Sequence, residues 1–138
     1  MQRSLILSSL LAVGLFSAGN FFVEAKADAL WVSSQRINVV DGDTIRIGDD
    51  RYRLMGFDTP ETRFAQCDSE RERGNQATRR LETLIRSEAD VILHVAPDKD
   101  RYDRFLATLE IAGQDVGPVL ISEGLARPYD GGQRMGWC

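Results

Sequence analysis

A chain of 138 residues has room for one domain, and its 43% apolar content is enough to close a core. Its 17 basic residues against 21 acidic ones, a formal net charge of −4, exclude a protein that packages nucleic acid by bulk positive charge. A single histidine excludes mechanisms built on a histidine pair, and two cysteines with one distant histidine fall short of a four-ligand zinc site.

The N-terminus reads as a targeting segment. Arg3 precedes an apolar run from Leu5 to Phe16, and Ala25-Lys26-Ala27 offers the small-x-small pattern of a signal peptidase site. The uncharged span extends to Val23, close to the ~20 residues of a membrane helix, yet its Ser, Gly and Asn content makes it a poor one. Residues 1–27 are therefore expected to be a cleaved signal peptide, an uncleaved anchor being the alternative, and residues 28–138 an exported, periplasmic or secreted domain. No stable membrane association is expected, and the domain should be a monomer. Loss of Arg3, Glu24 and Lys26 leaves it at a net charge of −5, so attraction to phosphate must come from local arginines and a bound cation. In an exported protein Cys67 and Cys138 are expected to pair, closing a loop worth about 4 kcal/mol in chain entropy. Two free thiols are the alternative.

Ile37 to Val40 is a β-branched run, and Thr44 to Ile47 alternates with period two. Asp41-Gly42 between them is a hairpin signal whose two positions call for positive φ. The loop Gly48-Asp49-Asp50 returns the chain into a third strand, Tyr52 to Phe57, which Pro60 prevents from continuing. Ser69 to Glu72 fits a capping box, and Ala77, Leu81, Leu84 and Ile85 recur at helical spacing, which predicts a helix from about Glu70 to Ser87. Strands are predicted over Val91 to Val95 and Leu106 to Ile111, with a short edge at Val116. Pro118 suits the first turn of a second helix, and Gly124 its end. Five short strands with one helix after the third are the parts of a small Greek-key barrel, so the predicted class is α+β, mainly β.

The stretch Val39 to Glu61 carries the chemistry. It gathers Asp41, Asp43, Arg53, Asp58, Thr59 and Glu61 into three connected strands, a set that suits a hard cation and a phosphate. An EF-hand loop starting at Asp41 is excluded, because the position that needs a glutamate is Tyr52. Arg53 alternates with Tyr52 and Leu54 and shares a face with Met55 and Phe57. It cannot shed its charge there, so it needs an anionic partner: a structural ion pair with Asp58 or Glu61, or a phosphate. His94, mid-strand, reads as a half-exposed strand residue.

The pieces Asp41-Gly42-Asp43-Thr44, Arg53-Leu54, Asp58-Thr59-Pro60-Glu61 and Asp100-Arg101-Tyr102-Asp103-Arg104, in order and followed by Gly124-Leu125-Ala126, closely resemble the staphylococcal nuclease family over about residues 37–129. The resemblance implies an OB-fold barrel and an enzyme that hydrolyses DNA and RNA with Ca²⁺, leaving 3′-phosphate ends. It further implies that Asp43, Asp58 and the Thr59 carbonyl hold the ion, with Asp41 behind them, and that Arg53, Glu61 and Arg104 are catalytic. By the same likeness Tyr102, and after a one-residue gap Tyr129, contact the nucleotide. The family usually has glycine where this chain has Asp103, which puts an acid beside Arg104. Its reference members also carry a further helix, whose anchoring role a Cys138 disulfide would replace. The alternative on the same fold is a non-catalytic module that binds nucleic acid or protein.

Overall fold

The computed structural model describes residues 28–138, and the predicted signal peptide lies outside them. In chain order the elements are β1 (Asp28–Ser33), a 3-10 turn (Ser34–Arg36), β2 (Ile37–Asp41), β3 (Thr44–Ile47), β4 (Asp50–Leu54) and β5 (Gly56–Asp58). They continue with α1 (Asp68–Arg86), β6 (Asp90–Lys99), β7 (Phe105–Ile111), β8 (Gln114–Asp115), α2 (Val116–Ser122) and β9 (Arg127–Tyr129). The main sheet runs β1-β6-β7-β4-β3-β2, with β8 added beside β7, while β5 and β9 make a separate two-stranded ribbon. Among the described residues only β4 and β7 pair in parallel, as the long crossover through α1 and β6 allows. This is the expected α+β architecture, a curled, OB-like sheet with two helices.

The core is one apolar cluster in which Ile37, Ile45, Leu54, Leu93, Leu109 and Leu120 are fully buried. One face of α1 closes it, because Gly74, Ala77, Leu81 and Ile85 fall at spacings of three and four. Full burial of one leucine or isoleucine there contributes about 1.5 to 3 kcal/mol, so the helix face is a principal clamp on the sheet.

Several expectations need correction. The third strand is split: Gly56, at φ 90°, turns the chain after Leu54, so β4 and β5 belong to different sheets. Asp41-Gly42 is not a positive-φ turn. Neither residue is left-handed; instead a Cβ on Gly42 would sit 2.8 Å from the Ala77 Cβ and from Thr59, so the glycine is needed for space. The capping box fails as well. Cys67 takes the cap position without a side-chain hydrogen bond, and Ser69 lies inside the first turn. Val116 opens α2, whose cap is Asp115 accepting from the Gly117 amide at 2.9 Å, and Pro118 follows within the first turn. The edge strand is Gln114–Asp115. Two strands were not predicted: β1, a mostly exposed edge strand, and β9, three residues long.

The disulfide Cys67–Cys138 is present, and no cysteine is free among the described residues. It ties the start of α1 to the segment that follows β9.

Candidate active site

Asp43 leaves the turn before β3, and its carbonyl accepts the Leu54 amide of β4 at 2.8 Å. Thr44 pairs across the ladder with Arg53, so the arginine rises beside Asp43. Arg53 is only 5% exposed, and its Nη2 lies 3.2 Å from Asp43 Oδ2 and 3.5 Å from Asp58 Oδ1. It also donates to the Phe57 carbonyl at 3.0 Å, which pins the reversal that carries Asp58 back over the sheet. The turn at Gly56 that splits the predicted strand is thus what brings Asp58 to Asp43.

Thr59 follows directly and gives Asp43 Oδ2 both its amide, at 3.2 Å, and its hydroxyl, at 3.3 Å. The Thr44 hydroxyl donates to Asp43 Oδ1 at 3.1 Å. Asp41 sits behind, its carboxylate accepting the Asp43 amide at 3.2 Å. Burial and then the neighbouring Asp43 push the Asp41 carboxyl from its ordinary 3.8 up to about 6. Asp58 is likewise raised by burial, against the opposing pull of Arg134. Asp41 and Asp58, both raised by burial, flank Asp43, and a divalent cation would offset the cost of their ionised forms. Asp43, Asp58 and the Thr59 carbonyl are all hard oxygen donors and fit such an ion. Elsewhere among the described residues Glu70, Cys67 and Cys138 bring possible metal ligands together, but they offer no thiolate, because both sulfurs are consumed by the disulfide.

Glu61 is held by its backbone. Its amide donates to Glu70 Oε1 at 3.3 Å, and Glu70 also accepts the Gln66 amide at 2.6 Å, so a buried helix carboxylate shapes the loop that precedes it. Gly74 lets this loop lie on α1: a Cβ there would be 2.6 Å from the Glu61 carbonyl oxygen. The Glu61 carboxylate itself accepts Arg134 Nη1 at 2.8 Å, and Arg134 Nε lies 3.1 Å from Asp58 Oδ1. Trp137 Nε1 adds a bond to Asp58 Oδ2 at 3.3 Å.

Arg104 is fixed by Asp100, which takes its Nε at 2.8 Å and its Nη2 at 2.7 Å, and Arg104 Nη1 reaches the Thr44 hydroxyl at 3.5 Å. Burial favours protonation of Asp100, but the hydrogen bonds from Arg104 and Tyr102 outweigh it and hold the carboxyl below its ordinary value. Tyr102 is exposed beside Arg104, with 5.4 Å between guanidinium and ring. Tyr129, on β9, lies under Arg53 at 6.0 Å, and both line a cleft of about 690 Å³ with Met55, Leu106 and Pro128. Asp103 stands at φ 60°, the left-handed region where glycine is at ease, and its carboxylate accepts Lys99 Nζ at 2.9 Å instead of facing Arg104. His94 pairs with Glu110 at 2.9 Å across β6 and β7, away from this network.

All eight predicted site residues therefore join one network. Asp43, Arg53, Asp58 and Thr59 touch directly; Glu61 connects through Arg134, Arg104 through Thr44, Tyr129 through Arg53 and Tyr102 through Arg104. Sequence reading missed Arg134, Trp137, Glu70, Gly74 and the role of Asp100. Only Glu70 left a signal, a carboxylate four residues before Gly74 on the apolar face of α1.

Fold and site together define a curled-sheet domain in which Arg53, paired with the clustered carboxylates Asp43 and Asp58, lines a largely apolar cleft. Residues 51–135 match the model of the family described as staphylococcal nuclease homologue, and the chain belongs to that family. Over 93 residues it is 33% identical to the SPbeta prophage-derived endonuclease YokF of Bacillus subtilis (strain 168), a match covering 64% of this chain and 31% of that protein. It is 32% identical over 93 residues to the endonuclease YncB of the same organism, covering 64% of this chain and 44% of the relative. The chain thus spans less than half the length of these relatives. Asp43 precedes residues 51–135, the part that the family model matches, and enters the site through the fold.

Proposed function

We propose that this protein is an exported nuclease, a Ca²⁺-dependent phosphodiesterase that hydrolyses DNA and RNA and leaves 3′-phosphate ends. The observation that carries the reading is the convergence of two buried carboxylates, Asp43 and Asp58, on one buried guanidinium, Arg53, at the wall of an open cleft. Asp43, Asp58 and the Thr59 carbonyl would hold the cation, which would neutralise charge on a bound phosphate oxygen. Arg53 lines the cleft, and Arg104 is pre-aimed by Asp100, so both can meet charge that grows on phosphate without reorganising. A fixed donor of this kind is worth about 2.7 to 4 kcal/mol in the transition state. Glu61 accepts the proton of a water directed in line with the leaving 5′ oxygen. The apolar rim of Met55, Leu106, Pro128 and Tyr129 offers a stacking surface for a base without reading its sequence. Export is supported by the formed disulfide, a bond that persists in oxidising compartments.

Cleavage of end-labelled single-stranded and double-stranded DNA and of RNA tests the reading in Ca²⁺, in Mg²⁺ and in chelator. The expected result is cleavage with Ca²⁺, much slower turnover with Mg²⁺, whose geometry is stricter, and none in chelator. Full activity in chelator would overturn the metal assignment, and no cleavage under any condition would overturn the nuclease reading.

A further inference from the structure

We propose that Arg134 is a positioning residue for Glu61 and that the Cys67–Cys138 disulfide is the latch that delivers it, so that the site is complete only in the oxidised chain. The proposal rests on the nuclease reading above.

Beyond β9 the segment 130–138 forms no helix or strand, yet its penultimate residue, Trp137, is buried. Trp137 is 7% exposed, with the Arg127 guanidinium 3.6 Å from its ring and Arg73 on it at 5.5 Å; Arg127 also donates to the Gly136 carbonyl at 2.9 Å. Side chains and one covalent bond therefore set the path of this segment, and that path carries Arg134 across the site. Its guanidinium spans two carboxylates, 3.1 Å from Asp58 and 2.8 Å from Glu61.

A loop carboxylate that must aim at one water needs its side chain restrained as well as its backbone. Glu70 and Gly74 restrain the Glu61 backbone, and both belong to α1, whose first residue follows Cys67. Arg134 restrains the carboxylate from the opposite side, on a segment bonded to that same cysteine. One disulfide thus sets both holds in register.

A cation beside Asp58 has a second consequence. It repels a metal ion bound to the same carboxylate, so removing it favours metal binding while it disorders Glu61. Loss of a merely structural contact would weaken both metal binding and turnover.

The test compares wild type with Arg134→Ala, Arg134→Lys, the pair Cys67→Ser/Cys138→Ser, and that pair combined with Arg134→Ala. Turnover is read on one oligonucleotide in Ca²⁺, and Ca²⁺ affinity by calorimetry without substrate. Arg134→Ala should lower kcat at least about tenfold with KM within about threefold, and should bind Ca²⁺ severalfold more tightly; Arg134→Lys should recover part of kcat. The serine pair should lose about as much kcat, and adding Arg134→Ala to it should cost less than about twofold more, because the two changes remove one device. Wild-type kcat in Arg134→Ala, or Ca²⁺ binding that is unchanged or weaker, overturns the positioning role. Losses that multiply in full overturn the latch. A wild type that binds Ca²⁺ and cleaves nothing overturns the nuclease reading instead, and the calorimetry still decides whether Arg134 acts on the metal site.

Discussion

Asp103 shows how one residue can seem to spoil a site and leave it intact. From sequence alone it puts a negative charge beside Arg104. In the structure the carboxylate turns to Lys99, and Arg104 is held by Asp100. What the position demands is backbone: φ is 60°, where ordinary side chains cost roughly 1 to 2 kcal/mol and Asp, Asn and Gly cost less. Asp103→Ala should therefore destabilise the domain by about 1 kcal/mol in urea unfolding, while Asp103→Gly stays within about 0.5 kcal/mol of wild type. Asp103→Asn should leave kcat/KM within about twofold. A larger gain with Asn would show that the charge does reach the phosphate.

At the scale of elements, much was legible. A β-branched run marked β2, period-two alternation marked β3, and helical spacing marked α1, which buries one regular face. What was not legible has physical causes. Only Val32 of β1 enters the core, so that strand leaves no alternation to read, and β9 is made by its partner β5. The start of α1 is fixed at Cys67, a covalent constraint that outweighs the local Ser69 signal. Arg134 could not be placed, since it reaches Glu61 across 73 positions on a segment with no secondary structure. Gly74 gives this scale its test. A glycine that was merely a weak point in a helix would gain about 1 kcal/mol on replacement by alanine. Here the new methyl would meet the Pro60 and Glu61 carbonyls at 2.7 and 2.6 Å. Gly74→Ala should instead destabilise, by up to about 2 kcal/mol, and lower kcat by displacing Glu61. A stabilised, fully active variant would refute the account of how α1 seats this loop.

Across the whole molecule, the cluster that suits a cation is a liability without one. Asp41, ordinarily at 3.8, is raised to about 6 in the folded protein, and Asp58 is raised in the same direction. A raised carboxyl takes up its proton in the folded state first, so folding gains stability as pH falls through about 6, and the gain is complete below 3.8. Asp100 and Glu123 are shifted the other way and remove stability only below their ordinary values of 3.8 and 4.5. The melting temperature in chelator should therefore rise from pH 7 to pH 5, and Asp41→Asn should flatten the rise; a fall over that range would contradict the reading.

The central claim is that this network breaks phosphodiester bonds with Glu61 as the group that handles the water. Its most direct test is kcat for wild type and Glu61→Gln on one oligonucleotide at saturating Ca²⁺, with the melting temperature and Ca²⁺ affinity measured alongside. The account predicts a fall in kcat of at least roughly a hundredfold with fold and metal binding retained, because glutamine keeps the shape and cannot accept the proton. A Glu61→Gln protein whose kcat stays within about threefold of wild type would contradict it.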